Sequence, residues 1–192
     1  MRSIHGPAQN GQSCCGNTVT VMRLLFEIDM KDYDPDAPVF VRPSVRGIII
    51  RDGKVGMVHS LKYNYYKFPG GGMESGEEQR ETLIREVREE SGLTVVPDSI
   101  KEYGMVHRVQ KGDYGDTFVQ DNYYYFCDTQ WEPRVQQLDD YEAEAEFTPE
   151  FVDPVEAIGV NRNIPRDQWD SVMLEREARV LEMLMEEGYF HR

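Results

Sequence analysis

Residues 71–93 read GGMESGEEQRETLIREVREESGL, a glycine-rich loop that runs into a charged segment with helical spacing. On a helix of about 3.6 residues per turn, Glu86, Glu89 and Glu90 stand at i, i+3 and i+4 and share one face. Three like charges on adjacent turns repel, and the arrangement is tolerable where a cation or an array of donors sits among them. Leu83 and Val87, also i and i+4, give the helix a second, apolar face, and Gly92 is placed where a left-handed stop belongs. Gly70-Gly71-Gly72 ahead of the helix suits a backbone that approaches a ligand closely. A solvated acidic face accounts for the carboxylates alone and leaves the glycines unexplained.

The stretch satisfies Gly-x5-Glu-x7-Arg-Glu-U-x-Glu-Glu-x-Gly-U (U aliphatic), through Gly71, Glu77, Arg85-Glu86-Val87, Glu89-Glu90 and Gly92-Leu93. The chain therefore resembles the Nudix hydrolases. That resemblance implies an α/β/α sandwich with a mixed β-sheet, and Mg2+-dependent hydrolysis of the pyrophosphate bond in a nucleoside diphosphate linked to another moiety. Substrates of that kind are ADP-ribose-like compounds, nucleotide sugars, dinucleoside polyphosphates and modified nucleoside triphosphates. It implies that Glu86 and Glu90 ligate the metal, with Mn2+ as a substitute for Mg2+, and that Glu89 serves a second metal or holds metal-bound water. The carbonyl of Gly71 is the backbone ligand that the resemblance implies, while Glu77 and Arg85 pair to organise the loop–helix unit.

The family differs in its general base, taken either from the box or from a late loop. Glu89 is the first candidate here and Glu144, in the acidic stretch 141–146, the second. Arg46 is placed to meet phosphate oxygens, with Lys62 and Lys67 near the loop. Tyr66 and Phe68, in the aromatic run before the loop, either stack a base or pack in the core, with packing favoured. Two competing classes remain in view. One is a non-catalytic Nudix-fold module that binds nucleotides or regulates. The other is an isomerase of isoprenoid diphosphates, which needs a reactive cysteine in the pocket and has only Cys127 on a strand.

The 192 residues fit one domain, expected over 21–192 and including a C-terminal helix, after a polar and flexible extension over 1–20. A net charge of −14, from 35 acidic and 21 basic residues, argues against binding a nucleic-acid polymer. It does not disfavour small anionic nucleotides, since a divalent cation reverses the local field. No run approaches the roughly 20 apolar residues of a membrane span, and no signal peptide is evident, so the chain reads as cytoplasmic. Cys14, Cys15 and Cys127 form neither a disulfide framework nor a zinc spacing. A P-loop fails because Glu77 and Glu78 stand where lysine and a hydroxyl belong. A calcium loop at Asp32-x-Asp34-x-Asp36 fails because Ala37 and Pro43 replace glycine and glutamate.

Elsewhere the sequence predicts strands at 22–28, 45–50, 55–61, 93–96, 101–109, 118–127 and 150–152. It predicts helices over 76–91, from Pro154, and over 168–187. The last carries Asp167 as N-cap and a stripe of Leu174, Ala178, Leu181 and Met185 that serves a core or a homodimer contact. The class is α+β.

Overall fold

The computed structural model describes residues 22–130, 135–165 and 170–190. The expected extension, Cys14, Cys15 and Asp167 lie outside the described residues. In chain order the elements are β1 (Leu24–Asp29), β2 (Val39–Val41), β3 (Ser44–Arg51), β4 (Lys54–Ser60), β5 (Tyr65–Lys67) and α1 (Gln79–Ser91). They continue as β6 (Thr94–Val95), β7 (Lys101–Lys111), β8 (Thr117–Phe126), β9 (Thr129–Gln130), α2 (Asp140–Glu144), β10 (Phe147–Val152), α3 (Pro154–Asn163) and α4 (Ser171–Glu186). The large sheet runs β1-β7-β8-β3-β4-β10, with β2 beside β8 and β5 beside β4, while β6 and β9 pair separately. It is mixed: β3 is parallel to β8 and antiparallel to β4.

Alternation along β3 sets the layers, because successive side chains point to opposite faces. Val45 and Ile49 enter one apolar cluster with Leu83 and Val87 of α1. Ile48 enters another, with Tyr124 of β8, Ala157 of α3 and Val180, Leu181 and Leu184 of α4. One helix therefore covers one face and two helices cover the other, the three-layer arrangement expected for this sandwich.

Several details differ from their expected places. α1 starts at Gln79 rather than Gly76, because Gly76 sits at φ 83° and Glu77 closes a turn onto Glu74 (N–H to O 3.1 Å). The Glu81 carboxylate then accepts from the Glu78 N–H at 3.0 Å, capping the first turn. The cap of α4 is Asp170, whose side chain accepts from Met173 N at 3.0 Å. The buried stripe of α4 closes on Leu184 instead of Met185. The acidic connection after β9 holds a helix, α2, of five residues, too short to leave a periodic signal.

Candidate functional site

The loop before α1 is fixed against β3 by backbone pairing: Gly47 N–H donates to Pro69 O at 2.8 Å and Val45 N–H to Gly71 O at 2.9 Å. Gly70 adopts φ +143°, and a Cβ there would lie 2.0 Å from Val45 O, so only glycine fits. At Gly71 a Cβ would lie 2.4 Å from a Glu86 carboxylate oxygen. The missing side chain is what lets α1 bring that carboxylate onto the loop.

Glu77 and Arg85 meet as expected in geometry. Both Arg85 Nε and one terminal nitrogen donate to the two Glu77 oxygens at 2.8 Å, a bidentate pair. Arg85 also donates to Gly72 O at 3.2 Å, to Glu86 at 2.7 Å and to Glu89 at 3.1 Å. One guanidinium thus ties the turn, the glycine loop and two box carboxylates together. Its contact with Glu77 holds that carboxyl down to about 2. Burial pushes the Glu86 carboxyl upward, against the pull of Arg85, Lys67 and Arg46.

The box carboxylates separate into two tiers. Glu86 and Glu89 line a cavity of about 450 Å3, along with the loop 70–72, Arg42 and Arg46. Glu90 lies behind them and is fully buried. It accepts from Gly70 N–H at 2.9 Å and forms an ion pair with Lys67. Among the described residues, no three carboxylate, imidazole or thiol groups are drawn together as a ready ligand set. The donor chemistry nevertheless fits a hard divalent cation: carboxylate oxygens of Glu86 and Glu89 face one cavity beside a backbone that carries carbonyls, and the bare Cα of Gly71 leaves the approach clear.

Arg46 lies at the cavity wall and is buried. One of its terminal nitrogens bonds Gly70 O, and its Nε has no partner among the described residues. Lys62 sits apart, paired with Glu144 at 2.7 Å. Glu144 itself is 70% exposed and does not line the cavity. Glu142, two residues earlier on α2, is buried and does line it. It accepts from Asp139 N–H and from the Tyr141 hydroxyl, both at 2.9 Å.

Tyr66 and Phe68 are buried in the core rather than in the cavity. Tyr66 stacks on His59 at 4.2 Å, and Phe68 meets Tyr124 edge-on at 5.6 Å, because the short β5 is covered by α3 and α4. Cys127 is also buried, in the apolar cluster under α1, where burial pushes its thiol up to about 12, and it lines no part of the cavity. Among the described residues the isomerase reading is thus without a reactive thiol in the cavity.

Sequence reasoning missed Arg42, Glu142 and the pair Arg176–Glu177. Glu177 accepts from the Phe68 N–H at 3.1 Å and so anchors the strand entering the glycine loop from across the core. Its signal was readable: Glu177 occupies a core position of α4, three residues after Leu174 and four before Leu181.

The NUDIX domain family matches residues 41–175, which contain the whole box, and the chain belongs to the Nudix family. It is similar to the uncharacterized Nudix hydrolase YvcI of Bacillus subtilis (strain 168), with 33% identity over 82 residues, 40% of this chain and 51% of that protein. The chain thus spans about half the length of that curated relative. A solved NUDIX hydrolase from Nitrosomonas europaea superposes with a TM-score of 0.52 at 16% identity, over 73% of this chain and 90% of the other, a likeness of fold. Among the described residues no helix is long and apolar enough to cross a membrane.

Proposed function

We propose that this chain catalyses divalent-metal-dependent hydrolysis of the pyrophosphate bond in a nucleoside diphosphate linked to a second moiety. The observation that carries the reading is the common cavity: Glu86 and Glu89 open onto the same space as the glycine loop and two arginines. Glu86, Glu89 and the Gly71 carbonyl would hold Mg2+, or Mn2+ in its place, with Glu90 supplying charge from behind. A bound divalent cation neutralises phosphate oxygens and acidifies water at neutral pH.

The remaining work falls to the chain itself. Arg46 and Arg42 meet the phosphate oxygens and orient the bridge, Arg46 at little entropic cost because it is already packed. Arg85 holds Glu86 and Glu89 in register with the loop. Glu89, partly exposed and on a rigid helix, takes the proton from the attacking water. Glu142, on the rim, is the alternative base. The partner is a small nucleotide.

A screen of nucleotide diphosphate derivatives, read as release of phosphate or nucleoside monophosphate, tests this directly. Turnover is expected with Mg2+ or Mn2+ and none in EDTA. Binding of nucleotides without turnover under either metal would make the chain a non-catalytic module.

A further inference from the structure

A second cavity, of about 620 Å3, adjoins the first and shares Arg42, Arg46 and Gln120 with it. Its floor is the α4-facing side of β7 and β8, where register sets Arg108 opposite Gln120 and Gln110 opposite Phe118. The hydrogen bonds of that floor have one polarity. Gln110 Oε1 already accepts from Arg108 Nε at 2.8 Å, and Gln120 Oε1 accepts from Arg176 at 3.3 Å. Gln110 Oε1 also accepts from a terminal nitrogen of Arg108, so Gln110 has only its NH2 to offer a ligand, while Gln120 offers its NH2 beside an oxygen already turned to Arg176. Phe40 and Phe118, with ring centroids 6.1 Å apart, add flat apolar surface. Opposite polarity comes from the 112–116 loop, where Asp116 Oδ1 is buried and has no partner among the described residues.

We propose that this cavity is the base-recognition subsite of the enzyme and that it selects nucleobases with an exocyclic oxo group, guanine or uracil, over adenine and cytosine. The assignment rests on the proposed hydrolase reading, because Arg42 and Arg46, at the seam of the two cavities, would hold the phosphates attached to that base. Oxo bases place an acceptor oxygen beside a ring N–H donor. Amino bases place a donor NH2 beside a ring acceptor, the inverse order. The amide donors of Gln110 and Gln120 meet the oxo group, and the carboxylate of Asp116 meets the ring N–H. An amino base sets donor against donor and acceptor against carboxylate, and leaves buried groups unpaired on both sides. Base stacking tolerates all four bases, so the discrimination comes from the polar groups.

The test is calorimetric titration of the full chain with GMP, UMP, AMP and CMP in EDTA, where no turnover intervenes. GMP and UMP are expected to bind at least about 10-fold more tightly than AMP and CMP. In Gln110→Glu one carboxylate oxygen keeps the Arg108 contact and the other replaces the donor, so this preference should vanish or invert, with thermal melts confirming a folded protein. Gln120→Glu is the independent second variant and should act the same way.

Equal affinity for the four nucleotides would overturn the proposal, and so would a preference untouched by both variants. Inorganic tripolyphosphate binding as tightly as GMP would also overturn it, by showing that the cavity reads phosphate alone. Base preference without turnover under Mg2+ would retain the subsite and dismiss the hydrolase. Turnover without base preference would do the reverse.

Discussion

Lys67 and Glu90 form an ion pair whose side chains are 9% and 1% exposed, so the innermost carboxylate of the box is held by a cation that the chain itself provides. Lys67 ends β5, three residues before Gly70, and its ammonium lies 4.8 Å from the ring centroid of Phe147. Glu90 also accepts from Gly70 N–H. Burial pushes its carboxyl up, against Lys67 and Arg46, which pull it down. A buried carboxylate without a positive partner is costly, and Lys67 offsets part of that cost before any metal arrives.

Replacing Lys67 by Met should therefore destabilise the metal-free protein by about 3 kcal/mol, the scale for breaking a buried pair by deleting one member. If Glu90 contributes to the cation site, Mg2+ should recover part of this loss. The melting temperature of Lys67→Met should then rise on adding Mg2+ by more than that of wild type. An equal or smaller rise would separate Glu90 from the metal.

Glu86→Gln and Glu89→Gln each keep side-chain shape while removing a charge that faces the cavity. Turnover under saturating Mg2+ should fall at least about 100-fold for Glu86→Gln, with the fold retained. Activity of Glu86→Gln within a few-fold of wild type would take this residue out of the metal set.

The Glu77–Arg85 pair predicts a pH dependence with a definite sign. The folded carboxyl lies near 2, below an unfolded value of about 4.3. The unfolded chain therefore binds more protons in that interval, and stability rises with pH. The contribution, on the order of 1–3 kcal/mol, is complete above about pH 5 and fades as pH falls toward 2. Glu77→Gln should melt lower than wild type at pH 7, and the gap should narrow steadily below about pH 4 and close only near pH 2. A gap of constant size from pH 7 to pH 3 would assign the loss to shape rather than charge.

The box was legible because its chemistry is local: carboxylates at i, i+3 and i+4 on a helix report their own juxtaposition. The bidentate Glu77–Arg85 contact spans a turn and a helix, and only the family resemblance made it readable. Glu142 and Glu144 are alternate residues of one acidic stretch. The choice between them depends on a helix of five residues whose capping turns Glu142 inward, and so short an element has no period to detect. Tyr66 and Phe68 fell in the core because α3 and α4 cover β5, a non-local fact. The polar floor of Arg108, Gln110 and Gln120 follows from strand alternation, yet which side faces α4 is fixed only by the sheet order.

The last prediction concerns the base. Glu144 is exposed and paired with Lys62, so Glu144→Gln should leave kcat and KM close to wild type. Glu89 and Glu142 both line the cavity and must be told apart by their pH profiles. Glu142 uses both carboxylate oxygens, on the Asp139 N–H and the Tyr141 hydroxyl; its amide analogue can keep accepting from the Asp139 N–H through its one oxygen, while its NH2 turns the second contact round and donates to the Tyr141 hydroxyl oxygen. Glu142→Gln should thus alter KM more than kcat and retain the acidic limb of the rate profile. Glu89 shares a single guanidinium nitrogen with Glu86 and keeps an oxygen available, so Glu89→Gln should lower kcat strongly and abolish that limb with metal saturating. Loss of a ligand alone would lower kcat but leave the limb in place, which separates the two roles. Should the limb survive in Glu89→Gln and disappear in Glu142→Gln, the proton belongs to the rim residue and closure of the 136–142 segment would deliver it.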